Sequence, residues 1–385
     1  MNKSLLMSGL WLVGLSPVVL ALPPAPPNDD PSNAEVIDPN VPTVVFGTTV
    51  LADDSISTTN LPSPVDDVDG PDVFYSLTPD VSDTYRLSLL PWQRAPLRSS
   101  DRRFILYVQD EDGFTIAGAE APGNARPIFL DVDLVAGTTY RIAVDYDATT
   151  RDNFPFTLVV DTIPMTAPDD CSAVETLSVT LPTAASNSLD GAAGDFLFTQ
   201  GAGTCAVQGS SPSNAPGVDH VYRFTPVTTD TYAFELAVNG FDGMLYINTS
   251  CPPVFPGGCV GASNHSTSGT SGGKHELIAA SLQAGTDYYV YVDGGSASDQ
   301  SGDYALIVDT ALAYEISELE PNNSSASATT PITPLNGGQL VGPTDEDWWA
   351  IPGNTADRVY AWVNNGGSSN STLDADLAFI GTDGS

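Results

Sequence analysis

The chain runs to 385 residues and carries 48 acidic against 12 basic side chains, a formal net charge of −36. That excess repels phosphate backbones and anionic membrane surfaces, which argues against nucleic acid as a partner and leaves divalent cations, cationic surfaces or plain solubility as its uses. Hydrophobic residues at 41% and aromatics at 9% suffice for packed cores, so the acidity is not that of a disordered tail.

The chain opens with "MNKSLLMSGLWLVGLSPVVLALPPAPP": a lone Lys3, an apolar run from Leu5 to Val13 broken by Gly and Pro, then Val19 and Ala21 before a proline-rich stretch. This reads as a secretory signal peptide over residues 1–21, cut after Ala21, because the apolar run falls short of the roughly 20 residues that span a bilayer. No later run reaches that length.

Beyond it the chain repeats itself. "PDVFYSLTPDVSDTYRLSL" (71–89) is answered by "VDHVYRFTPVTTDTYAFEL" (218–236), with Asp72 and Asp219 offset by 147 residues. "LVAGTTYRIAVD" (134–145) is answered by "LQAGTDYYVYVD" (282–293), and "FPFTLVVDT" (154–162) by "GDYALIVDT" (302–310). The head "PPNDDPSNAEVI" (26–37) returns as "APDDCSAVETL" (167–177) and again as "EPNNSSASATTPI" (320–332), which makes three units.

Within each unit apolar residues alternate, as in Tyr85, Leu87, Leu89 and Tyr232, Phe234, Leu236, the period of half-buried strands. Ala-Gly-Thr precedes two of the alternating runs, where Gly lets the chain reverse before re-entering a sheet. The expectation is an all-β chain of tandem jelly-roll-like β-sandwiches over 22–163, 164–312 and an incomplete third over 313–385, joined by short connectors and strung like beads. The third unit stops at "DADLAFIGTDGS" (374–385), before its own "AGTxY" strand, so a chain continuing past Ser385 is expected.

The head, the "DVFYSLTP" and "DHVYRFTP" strands, "DGMLYI" (242–247) and the "AGTxYxxxV" strand, in this fixed order, resemble the bacterial pre-peptidase C-terminal domain. That resemblance covers essentially all of the mature chain. It implies a jelly-roll sandwich of secreted and surface proteins, often appended to proteases, and in its collagen-binding members a calcium site at a Glu-x-Glu-x-Asn-Asp head with downstream aspartates. The third unit matches that head best: Glu318, Glu320, Asn322 and Asn323, with Asp345 and Asp347 a strand later, although Asn323 departs from it. Six such oxygen-bearing side chains suit calcium, the one cofactor expected, or else are capping and turn residues on a solvated face. Unit one keeps Asn28, Asp29 and Asp72 and unit two Asp169, Asp170 and Asp219. Neither has the two glutamates, so tight calcium binding is doubtful there.

Cys171, Cys205, Cys251 and Cys259 are an even set in an exported chain, without Cys-x-x-Cys spacing or a histidine ligand pattern. Locality favours Cys171–Cys205 and Cys251–Cys259 over the two other pairings. "GTSGG" (269–273), with His265 and His275 nearby, matches a nucleophile elbow formally but sits in a Gly/Ser-rich run rather than between strand and helix. The pair Asp374 and Asp376 and the rings of Trp348 and Trp349 are weaker signals still. With no nucleophile–base pair and no metal cluster, the sequence reads as monomeric, secreted, non-catalytic binding or spacer modules for extracellular protein or polysaccharide. The alternative is accessory domains of a hydrolase whose catalytic part lies past residue 385.

Overall fold

A computed structural model describes residues 25–49, 52–55, 70–91, 103–121, 127–147, 155–163, 168–199, 207–209, 214–264, 276–295 and 301–310. The signal segment, "GTSGG" with its two histidines, and everything from 311 onward, including Trp348, Trp349, Asp374 and Asp376, lie outside these residues. Among the described residues the structure is β throughout, apart from a single 3-10 turn at Pro31–Asn33 whose N-cap Asp30 accepts from the Ser32 amide at 2.7 Å. No helix there is long and apolar enough to cross a membrane.

Unit one contains β1 (Glu35–Val36), β2 (Thr43–Thr48), β3 (Val73–Leu77), β4 (Asp83–Pro91), β5 (Arg103–Gln109), β6 (Thr115–Glu120), β7 (Ile128–Leu134), β8 (Tyr140–Asp147) and β9 (Pro155–Thr162). They form two sheets, an outer one ordered β1-β3-β8-β5-β6 and a back one ordered β2-β9-β4-β7. The chain crosses between the sheets at nearly every connection. Unit two contains β10 (Glu175–Thr176), β11 (Thr183–Ser188), β12 (Phe198–Thr199), β13 (Val207–Gly209), β14 (Asn214–Ala215), β15 (Asp219–Phe224), β16 (Asp230–Asn239), β17 (Gly243–Asn248), β18 (Cys259–Asn264), β19 (Glu276–Leu282), β20 (Tyr288–Gly294) and β21 (Asp303–Thr310). Its outer sheet runs β10-β15-β20-β17-β18-β13 and its back sheet β11-β21-β16-β19, the order of unit one with β13 added at the edge and a β12–β14 ribbon inserted. The repeated phrases therefore mark repeated strands in one topology, a tandem β-sandwich.

The phrases repeat because each contains its own closure. In "TPxxxDTY" the tyrosine hydroxyl turns back onto the turn before its strand: Tyr85 donates to the Val81 carbonyl at 3.1 Å and Tyr232 to that of Thr228 at 2.8 Å. In "AGTxY" the glycines adopt φ of 77° (Gly137) and 71° (Gly285), a region that costs other residues strain. Their amides donate to the carbonyls of Pro79 and Pro226. The hydroxyls of the tyrosines three residues on, Tyr140 and Tyr288, then accept the amides of Val135 and Gln283 at 3.1 and 2.9 Å.

Tyr75, Leu87, Leu106, Val144 and Phe156 fill the space between the sheets of unit one, and Tyr222, Phe234, Leu245, Val290 and Leu306 that of unit two. The expectation of half-buried strands needs correcting here, because both faces of many strands are covered. In β4 every residue from Tyr85 to Pro91 is buried, and β17 is buried along its whole length. Two layers do the covering. On the outer sheet of unit two, Phe196, Phe198, Val221, Met244, Tyr246 and Tyr291 form a second apolar cluster under the β12–β14 ribbon and the loop after β17.

On the back sheets the two units cover each other, so they are docked and not strung like beads. Leu90 and Val159 of unit one pack with Ala184, Ala237, Ala305 and Ile307 of unit two. The Ser88 and Ser186 hydroxyls bond across this seam, and the Ser186 amide donates to Asp161 at 3.1 Å. Arg86 holds Asp131 of its own unit through Nε and Nη2 at 2.7 and 2.8 Å, and its Nη1 lies 3.1 Å from Asp303 of the other. The last contact is an ion pair without hydrogen-bond alignment, since Nη1 has no bonded acceptor.

Candidate functional site

The six residues expected to hold calcium in the third unit, Glu318, Glu320, Asn322, Asn323, Asp345 and Asp347, lie outside the described residues. Their counterparts in units one and two are described, and they are structural ties. Asp29 accepts the Asp53 amide at 2.7 Å and Asp169 the Ala193 amide at 2.8 Å. Asp30 and Asp170 cap the amides of Ser32 and Ser172 at 2.7 and 2.6 Å. The heads thus align Asp29 with Asp169 and Asp30 with Asp170, which leaves Asn28, whose side chain donates to the Phe74 carbonyl, opposite Pro168. Both oxygens of Asp72 face the Ser55 amide at 3.2 Å, and Asp219 accepts the Phe196 amide at 3.0 Å.

Asp219 is one corner of a constellation that recurs in both units. On β20 its direct cross-strand partner is Asp293, and on β17 Tyr246 sits two residues beyond Met244, the residue opposite Asp293. Unit one places Asp72 beside the β3–β8 pair, Asp145 on β8, and Tyr107 on β5 two residues beyond Ile105, the residue opposite Asp145. All six side chains are buried. Two carboxylates facing each other away from water cannot both ionise cheaply. Burial accordingly raises Asp219 to about 7, against the pull of the Phe196 amide. Asp293 rises well above the carboxylate range, by burial and then by the charge of Asp219. Neither Asp293 oxygen makes a hydrogen bond of normal geometry, although the Tyr246 hydroxyl is its neighbour and that hydroxyl is itself raised by burial and by Asp293. Sequence reasoning singled out Asp72 and Asp219 but missed Asp145, Asp293, Tyr107 and Tyr246. The signal was the shared "VD" closing both "AGTxYxxxVD" phrases.

Chemically both trios are buried joints of the outer sheet, and in unit two burial keeps Asp293 protonated while Asp219 titrates at about 7. His220, buried next to Asp219, bonds through Nδ1 to the Tyr304 hydroxyl at 2.7 Å, and burial lowers it to about 4, so it stays neutral at physiological pH. Among the described residues no three His, Cys, Asp or Glu side chains are arranged to hold a metal.

The cysteine pairing is a second correction. Cys171 bonds to Cys251, 80 residues away, with a Cα–Cα distance of 5.6 Å. The expected Cys171–Cys205 and Cys251–Cys259 bonds are thereby excluded. Cys259 is also disulfide-bonded, and Cys205 lies outside the described residues. The reason is spatial: β10 runs parallel to β15, so the head carrying Cys171 lies along the outer sheet, and the loop after β17 folds over the same face. Nearness along the chain is no guide where strands from distant segments pair.

No known family model matches the chain, and no curated protein matches it. Among solved structures it is similar to an anti-sigma factor domain-containing protein, at 16% identity over 62% of this chain and 78% of that one, with a TM-score of 0.19. It is also similar to the tandem CBM51 modules of a family 98 glycoside hydrolase from Streptococcus pneumoniae, at 10% identity, 62% and 81% coverage and a TM-score of 0.19. A third is the M60 catalytic domain with two CBM51 domains from Clostridium perfringens, at 7% identity, 63% and 34% coverage and a TM-score of 0.19. Likenesses at this level carry no argument about ligand or activity.

Proposed function

We propose that the chain is a secreted, non-catalytic binding and spacer segment of a larger extracellular bacterial protein, built from pre-peptidase C-terminal-like sandwiches. The observation that carries this reading is the seam: two sandwiches of one topology share a buried face held by Arg86, Asp303, Ser88 and Ser186. A shared buried face fixes the angle between units, which suits a rigid arm that presents surfaces or holds a partner domain at a distance. Two disulfide-bonded sites in unit two are in keeping with an oxidising compartment. The buried carboxyls Asp219 and Asp293 serve as internal joints, which turns attention to the outer surfaces.

In the third unit, calcium at Glu318, Glu320, Asn322, Asn323, Asp345 and Asp347 remains part of this proposal, as a stiffener of the arm. The test is retention of the mature chain on insoluble polysaccharides and on fibrous extracellular protein, with peptide and glycoside turnover followed in the same samples. Retention without turnover is the expected outcome. Turnover of either substrate class would overturn the reading.

A further inference from the structure

Unit two carries, on the outer face of its outer sheet, a depression of about 240 Å³ lined by Cys171, Ser172, Val174, Arg223, Cys251 and Tyr289. Arg223 on β15 and Tyr289 on β20 are direct cross-strand partners. The arginine is under-used. Of five N–H donors, one bond is made, from Nη2 to the Thr176 hydroxyl at 2.8 Å, and the buried Nε has no acceptor. The ion pairs found among the described residues belong to Arg86, so no carboxylate claims Arg223. In a chain with four acidic residues for each basic one, an arginine left unpaired beside a depression calls for a reason.

Unit one repeats the arrangement by another route. There the same cross-strand pair is Ser76 and Arg141, with the arginine on β8 in the place of Tyr289 and the serine in the place of Arg223. Arg141 donates to the neutral Gln109 side chain at 3.2 Å and is near enough to contribute slightly to the lowering of Asp30. Each unit thus sets one arginine at the same spot, from opposite strands. Such a coincidence of position without coincidence of sequence points to the guanidinium itself.

We propose that the Arg223 depression is a subsite for the carboxylate of a uronate residue in a glycan, a proposal that rests on the binding-module reading above. A planar guanidinium matches a carboxylate in charge and geometry better than any other side chain. Beside the arginine the depression is lined by Ser172 and Tyr289 and by the part-buried Cys171, Val174 and Cys251; the Ser172 hydroxyl donates to Asp170 at 2.6 Å and keeps acceptor capacity for a ring hydroxyl. The volume suits one sugar ring. The overall charge of −36 opposes a dense polyanion, so the ligand is a uronate set among neutral sugars. The Cys171–Cys251 bond ties the two walls together and fixes the mouth before binding.

Nuclear magnetic resonance titration of the full chain with galacturonate, and with galactose as the uncharged match, tests this. Galacturonate should shift the Arg223, Tyr289 and Ser172 signals and bind at least about tenfold more tightly than galactose, the discrimination that a charge-assisted contact supplies. Arg223→Gln should remove that preference without moving the melting temperature. Ser172→Glu, on the exposed rim, gives up the Ser172 hydroxyl bond to Asp170, adds a second negative charge beside that carboxylate and should abolish binding. Equal affinity for galactose, no binding of galacturonate, or N-acetylalanine binding as well as galacturonate would overturn the subsite. Retention on polysaccharide that survives Arg223→Gln unchanged would sink the subsite while leaving the binding-module reading intact.

Discussion

Replacing Arg86 with methionine should weaken the joint between the units by a predictable amount. The arginine side chain is 8% exposed, whereas its partners Asp131 and Asp303 are 41% and 37% exposed. Burial opposes the charged guanidinium, but the two aspartates outweigh it and raise its pKa. Charge-assisted bonds are worth about 1.5–3 kcal/mol each, yet both aspartates can regain water and methionine fills the space of the arginine stem. A net loss of about 1–3 kcal/mol follows, most of it from the aligned Asp131 pair. The diagnostic quantity is the coupling between Arg86→Met and Asp303→Asn, because these residues belong to different units. For a partly exposed, imperfectly aligned pair it should be about 0.5–1 kcal/mol. Urea unfolding of the wild type, both single variants and the double variant measures it. Additive losses, with no coupling outside error, would mean that the contact across the seam contributes nothing and that the docking rests on apolar packing alone.

Asp161, raised from 3.8 to about 7 by burial at the seam despite the amides of Ser186 and Thr162, should make stability fall as pH rises from about 4 to 7. The sign follows because the folded carboxyl holds its proton more tightly than the unfolded one, and thermal melts across that range should lose this slope in Asp161→Asn. Non-reducing peptide mapping should join the Cys171 and Cys251 peptides, and removing that bond should cost on the order of 4 kcal/mol for an 80-residue loop; a Cys171–Cys205 link would refute the pairing. Gly217→Ala should destabilise far more than Gly137→Ala, since its Cβ would meet the Gly294 backbone at 2.3 Å, whereas Gly137 has open space and only its φ of 77° to lose, a cost of about 1 kcal/mol. Equal melting temperatures for the two variants would show that the β15–β20 end can yield.

The strands, their order and their closing turns were legible because each is encoded locally: Tyr85 finds Val81 four residues away, and Gly137 needs only its own φ. The second faces were not. Ser88, Ala237 and Ala305 alternate with core residues just as solvent-facing residues do, and only contact between the units reveals that their small size permits close approach of two sheets. The buried trios were half legible. Asp72 and Asp219 stood out by their phrases, but the partners Asp145 and Asp293 lie more than 70 residues away and become neighbours only through pairing of β3 with β8 and β15 with β20. Arg223 and Arg141 were invisible as a pair, since no alignment of the two units puts an arginine over an arginine.

The buried carboxyls also alter what the charge of the chain means. The formal −36 assumes that every Asp and Glu is ionised. Yet Asp161 and Asp219 titrate at about 7, and Asp293 well above the usual carboxylate range, each because burial disfavours the charge. Near neutrality the folded chain is therefore less negative than its composition, and part of its acidity is stored as internal hydrogen-bonding groups. Unfolding at pH 5.5 should then release protons, since these carboxyls return to ordinary values on exposure. Exposed Asp30, Asp38 and Asp170, lowered by neighbouring Ser and Asn groups, are ionised in both states at that pH and do not contribute, whereas His220, held at about 4 by burial, returns to 6.5 and takes up about one proton. Calorimetric unfolding in acetate and in a buffer of different ionisation enthalpy should give enthalpies that differ by the heat of a net release of up to about two protons. Net uptake of about one proton, the contribution of His220 alone, would mean that Asp161, Asp219 and Asp293 are charged in the folded state, and the account of them as neutral joints would fail.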